Sequence, residues 1–138
     1  MKKLQIATIL LLVSISSTGC VTLGGYKVHP GAGGYISGPA TTTQVFISQS
    51  YDTLSAADII IQTTRADFTT GKFPSGIMPQ VRAAFNDLVN AYNTAQGTWY
   101  AYNQAVVSGQ TPGQAGLTTA LTILDSKLLA LTTAKGGQ

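Results

Sequence analysis

From Thr43 onward, apolar residues return every three or four positions, and that periodicity leaves little room for anything but packed helices. The cleanest stretch is Val81, Phe85, Leu88, Tyr92, Ala95, Trp99, Tyr102 and Val106, a strict four-three alternation. Such spacing lines one face of an α-helix, because a turn takes 3.6 residues. Leu117, Leu121, Leu124, Leu128 and Leu131 repeat the alternation further on. Earlier, Ile47, Leu54, Ile61 and Phe68 recur every seven residues, with Ser50, Ala57 and Thr64 between them. That first stripe alternates large and small, which suits close packing against a bulkier neighbour. No segment of this region sustains the two-residue alternation of a half-buried strand.

Punctuation falls between the stripes. Gly71 with Pro74 closes the first, and Gly109 closes the second. Ser75 is read as the N-cap of the second helix, with Pro79 in its first turn. Thr111-Pro112-Gly113-Gln114 is read as a capping box opening the third, which Lys135 and Gly136-Gly137 end. Gly97 lies within the second helix but off its stripe, at a cost of about 1 kcal/mol relative to Ala. The expectation is an all-α fold: an antiparallel three-helix bundle, up-down-up, with helices near 44–70, 77–108 and 112–134.

The bundle follows a different kind of segment. Lys2 and Lys3 precede the apolar run Leu4–Ile15, and the small residues Ser16–Gly19 lead to Cys20. That order is the order of a secretory signal. A membrane-spanning helix wants about 20 predominantly apolar residues, and the strongly apolar run here is shorter. Ser17-Thr18-Gly19-Cys20 resembles a bacterial lipobox, in which small residues precede a cysteine whose thiol takes a diacylglyceryl group and becomes the new N-terminus. Ser17 stands where the usual motif has Leu. An uncleaved anchor and a plain secretory signal, with Cys20 an incidental thiol, are the competing readings. Three regions result: a signal peptide (1–19), the lipidated Cys20 with a Gly/Pro-rich tether (20–42), and the bundle (43–138). A flexible tether of ~22 residues reaches about 25 Å r.m.s..

The residue inventory narrows the chemistry. Charged residues are 9% of the 138, and Glu is absent, so the surface owes its polarity to Thr, Ser, Gln and Asn. One Cys and one His provide neither a zinc site nor an intrachain disulfide. After Cys20 the chain holds six Lys and Arg against five Asp, a net +1. The six cations are scattered, whereas nucleic-acid binding needs them clustered. Gly31-Ala32-Gly33-Gly34-Tyr35-Ile36 lacks both the third glycine and the strand of a dinucleotide fingerprint. His29, in the same stretch, has no partner residues nearby. Asp58 and Asp67 are nine apart, on opposite sides of one helix. Asp58 and Arg65 share a face and are expected to pair across the bundle with Arg82, Asp87 or Lys127. Trp99 and Tyr102 fall on the seam. Tyr100 points elsewhere and, with Tyr92, is the candidate partner contact. No catalytic residue, metal ligand or cofactor is expected.

The pattern from Ser50 to Leu131 resembles a group of small helical proteins encoded by phages and prophages, often near lysis genes. Phe68-Thr69-Thr70-Gly71-Lys72, then Ala83-Ala84-Phe85-Asn86 through Asn90-Ala91-Tyr92, then Ser108-Gly109-Gln110 carry it, before a Leu-rich last helix. The resemblance covers about 80 residues, implies an all-helical domain and carries no catalytic residue across. The sequence thus points to a non-enzymatic, lipid-anchored cell-envelope protein that binds an envelope partner, as an accessory to lysis or superinfection exclusion. The alternative is a structural, self-associating envelope lipoprotein with no distinct ligand. Val21 after Cys20 is not the Asp that, by resemblance to Gram-negative lipoproteins, retains such proteins at the inner membrane. A periplasm-facing position on the outer membrane is therefore expected in a Gram-negative host.

Overall fold

The structure, a computed structural model, describes residues 41–136. The signal peptide, Cys20, His29 and all but the end of the tether lie outside the described residues. Among the described residues the protein is all-α, with α1 (Thr42–Thr69), α2 (Met78–Val107), α3 (Ala115–Gly136) and no strand. The chain divides into two compact units, Met1–Thr53 and Leu54–Gln138, with the division inside α1.

In the first unit, a reciprocal cap opens α1. The Thr41 N–H donates to Gln44 Oε1 (2.8 Å), and the Gln44 N–H donates to Thr41 Oγ1 (3.2 Å). This is a capping box, which satisfies two backbone donors that a helix start leaves orphaned. Ile47 and Ser50, the first two stripe positions, are buried.

The second unit holds the rest of α1 with α2 and α3, running up-down-up. The Phe68 ring, near the end of α1, meets Phe85 in α2 edge-on at 5.4 Å. Lys135, at the end of α3, reaches back to Thr64 in α1. α2 and α3 pack on each other as an antiparallel hairpin. Leu88 and Leu124, mid-stripe on that hairpin, are completely buried. Burying a Leu side chain contributes roughly 1.5–3 kcal/mol. The large-small stripe of α1 is buried here too, through Leu54, Ala57, Ile61 and Thr64.

Two glycines end α1 and α2 in the same way. Gly71 has φ +66° and Gly109 φ +78°. The Lys72 N–H donates to the Asp67 carbonyl (3.0 Å) and the Gly71 N–H to that of Phe68 (3.3 Å). Gln110 and Gly109 donate likewise to Ala105 and Val106, both at 2.9 Å. Both are Schellman caps, which need a left-handed residue that glycine supplies without Cβ strain.

The expected N-terminal signals fare differently. α3 opens at Ala115, with the Thr118 N–H donating to the Gln114 carbonyl at 2.9 Å. Thr111–Gln114 is therefore connecting turn and not a capping box, an arrangement that keeps Pro112 and Gly113 out of the helix. Ser75 is not the N-cap of α2. Ile77 holds that place with no side-chain cap, while Pro79 does fall in the first turn. Ser75 instead lies in a turn whose Pro74 carbonyl accepts from the N–H groups of Ile77 (3.2 Å) and Met78 (3.1 Å).

Hydroxyls along the three helices are satisfied by the backbone of their own helix. Ser50 donates to the Phe46 carbonyl (2.7 Å), Thr64 to Ile60 (2.7 Å), Thr98 to Thr94 (2.8 Å) and Thr132 to Leu128 (2.9 Å). Each bond runs to the carbonyl four residues earlier. It satisfies the hydroxyl within the helix, so Ser50 and Thr64 can occupy buried seam positions without an unpaired polar group.

Candidate functional site

Charge is distributed unevenly along the α2–α3 hairpin. Arg82 and Asp87 lie in the first half of α2, Asp125 at the middle of α3, and Lys127 and Lys135 in its second half. From Leu88 to Leu124, the half that contains the connecting turn, there is no Asp, Glu, Lys, Arg or His. Exposed positions there are Thr, Asn, Gln, Ser, Gly and Ala, interrupted by Tyr100 (59% exposed), Val107 (63%) and Ile123 (49%). Such a surface gives up water at lower cost than a charged one.

The two tyrosines occupy different settings. Tyr100 stands out from α2, while Tyr92 is half-buried and its hydroxyl accepts a hydrogen bond from Gln96 Nε2 at 3.2 Å. Eight residues separate them, about 12 Å along the axis at 1.5 Å per residue. Trp99 and Tyr102 are buried. Beside Tyr102, the Asn103 side chain is buried, and its Oδ1 accepts no hydrogen bond among the described residues.

Where the charges do gather, they tie helices together. Lys127 Nζ donates to Asp87 Oδ2 at 2.9 Å across the hairpin. Beside that pair runs an open groove of about 290 Å³, lined by Asn90, Ala91, Thr94, Ala120 and Ile123. Asp58 does not make the cross-bundle pair expected of it; it accepts a hydrogen bond from Gln62 one turn later, at 3.3 Å. Asp67 instead meets Lys72 (3.1 Å) and Lys135 (3.9 Å). The Arg82 guanidinium lies 5.3 Å from the Phe68 ring centroid, a cation–π contact. Phe68, Phe73 and Phe85 thus form an aromatic cluster at this end of the hairpin. Sequence reasoning missed it because these rings lie on three different segments.

Two ionisable groups depart from their ordinary behaviour. Burial pushes the Asp125 carboxyl up. Burial pulls the Lys135 ammonium down, with Asp67 opposing the shift and Lys72 adding to it. Among the described residues no group of three His, Cys, Asp or Glu is placed to hold a metal ion. No helix among them is long and apolar enough to cross a membrane.

No family model matches this chain, and no similar curated protein or solved structure is found.

Proposed function

We propose that this is a non-enzymatic, lipid-anchored protein of the bacterial cell envelope that works by binding an envelope partner. The order Lys2-Lys3, apolar Leu4–Ile15 and Ser17-Thr18-Gly19-Cys20 carries this reading. It supplies export, a lipid on Cys20 and release of the signal peptide in one segment. The 20–42 tether then holds the helical domain off the membrane. The charge-free half of the α2–α3 hairpin supplies the contact surface, since interface centres are depleted of charge and enriched in tyrosine.

A phage or prophage origin, with a role as accessory to lysis or superinfection exclusion, is the specific form of the proposal. The resemblance over Ser50–Leu131 supports it. The site in a Gram-negative host is the periplasmic face of the outer membrane, on the strength of Val21.

Fractionation of cells expressing the full chain tests the reading. The protein should sediment with the outer membrane and stay there through a high-salt wash. Recovery of the whole chain from the soluble cytoplasmic fraction would overturn it.

A further inference from the structure

The groove beside the Asp87–Lys127 pair has two walls of different chemistry. Its floor is Ala91 and Ala120, both buried, whose short side chains leave the space between the helices open. The α2 wall is polar. Asp87, Asn90 and Thr94 line it over seven positions, about 10 Å along the axis. The α3 wall is aliphatic Ile123, until Lys127 closes the row. Much of the polar wall's hydrogen-bonding capacity is open. Lys127 occupies only Asp87 Oδ2, at 2.9 Å, so Oδ1 still accepts. Thr94 donates its proton to the Asn90 carbonyl, at 3.0 Å, so its hydroxyl presents acceptor lone pairs. The exposed Asn90 side-chain amide makes no hydrogen bond among the described residues, which leaves it both a donor and an acceptor.

We propose that this groove binds an uncharged sugar chain. The C–H face of the rings lies on Ile123 and the two alanines, and the ring hydroxyls run along Asp87, Asn90 and Thr94. The proposal rests on the envelope-partner reading and names the partner's chemistry; the glycan strands of the bacterial wall are of this class. Other chemistries fit the walls less well. A hydrocarbon chain would strip water from Asp87 and Asn90 and return no hydrogen bond. An anion would meet the Asp87 carboxylate, which already offsets the Lys127 charge. A hydroxyl both donates and accepts. A row of hydroxyls therefore serves Asp87 Oδ1 and Thr94, which accept, together with Lys127, which donates, and Asn90, which does both. The volume of about 290 Å³ sits at the lower limit of small-ligand sites. Because the groove is open, it suits a short stretch of a longer chain. From the ion pair the groove runs into the uncharged half of the hairpin, so a neutral chain leaving it there meets no further charge on α2 or α3.

Sedimentation of the full-length, detergent-extracted protein with purified cell-wall sacculi tests the proposal, with chitotetraose, an uncharged oligosaccharide, as competitor. The protein should sediment with the sacculi, and chitotetraose should release it. Asn90→Ala and Ile123→Ser should each weaken binding about tenfold. Asn90 is exposed and makes no side-chain bond in the fold, so its variant should melt with the parent, which separates a lost contact from a lost fold. Binding that chitotetraose does not release, or that both variants retain in full, would overturn the sugar groove and leave an envelope partner standing. Release by the peptide stems of the wall instead of by the sugar would assign the groove to a peptide and overturn the proposal. A chain that does not sediment with sacculi would overturn it as well, while the envelope reading itself is decided separately, by the fractionation above.

Discussion

Lys135 Nζ, in the last turn of α3, donates a 2.7 Å hydrogen bond to the hydroxyl of Thr64, 71 residues earlier in α1. That hydroxyl itself donates to the Ile60 carbonyl, so one buried oxygen joins two helices. The same ammonium lies 3.9 Å from Asp67 Oδ2 and 5.7 Å from the Phe73 ring centroid. A basic residue in the last turn also complements its own helix dipole, but here the side chain reaches across to α1. Thr64→Val and Lys135→Met should each cost about 1 kcal/mol, and the double variant should cost less than their sum. Urea unfolding of the four chains measures the coupling, and strict additivity would show that the bond contributes nothing.

Leu88 and Leu124 are fully buried on the α2–α3 hairpin. Truncating either to Ala should lower stability by about 2–5 kcal/mol. Gln96→Ala, at an exposed position, should stay within roughly 0.5 kcal/mol. Equal denaturation midpoints for all three variants would contradict the buried seam.

Three glycines should respond in opposite directions. Gly71→Ala and Gly109→Ala place a Cβ on left-handed backbone and should each destabilise by about 1–2 kcal/mol. Gly97→Ala keeps ordinary helical geometry in open space and should stabilise the chain by about 1 kcal/mol. Thermal melts at low concentration read all three. A loss in Gly97→Ala would mean the glycine serves its own fold.

Asp125 gives a pH-dependent test. Its carboxyl is raised by burial, so the folded state holds that proton more tightly than the unfolded chain does. The ionised group therefore costs stability at neutral pH, and the cost is relieved as pH falls through the raised folded value into the ordinary aspartate range. Asp125→Asn should melt slightly higher than the parent at neutral pH, and the gain should vanish in acid. A gain that grows as pH falls would contradict the shift.

The helices were legible because seam and stops agree. Ile47 through Phe68 repeat every seven residues, and Gly71 and Gly109 stand where left-handed caps are needed. The starts were less legible. Thr41-Thr42-Thr43-Gln44 and Thr111-Pro112-Gly113-Gln114 share one T-x-x-Q pattern, yet the first caps a helix and the second is a turn. In the first the Thr41 and Gln44 side chains bond each other's backbone N–H, whereas in the second the helix starts beyond the motif, at Ala115. Side-chain ties such as Lys135 to Thr64 join residues far apart in sequence, and no local pattern announces them.

Everything proposed about location rests on the thiol of Cys20, so its modification is the most direct measurement. Cells making the full chain, and the same chain with Cys20→Ser, are fed a labelled fatty acid, and the purified proteins are weighed by mass spectrometry. The native chain should carry label and begin at Cys20 with acyl mass added. The variant should carry none, and should either leave the membrane or remain unprocessed. Equal labelling and membrane association of the two chains would contradict the lipid anchor.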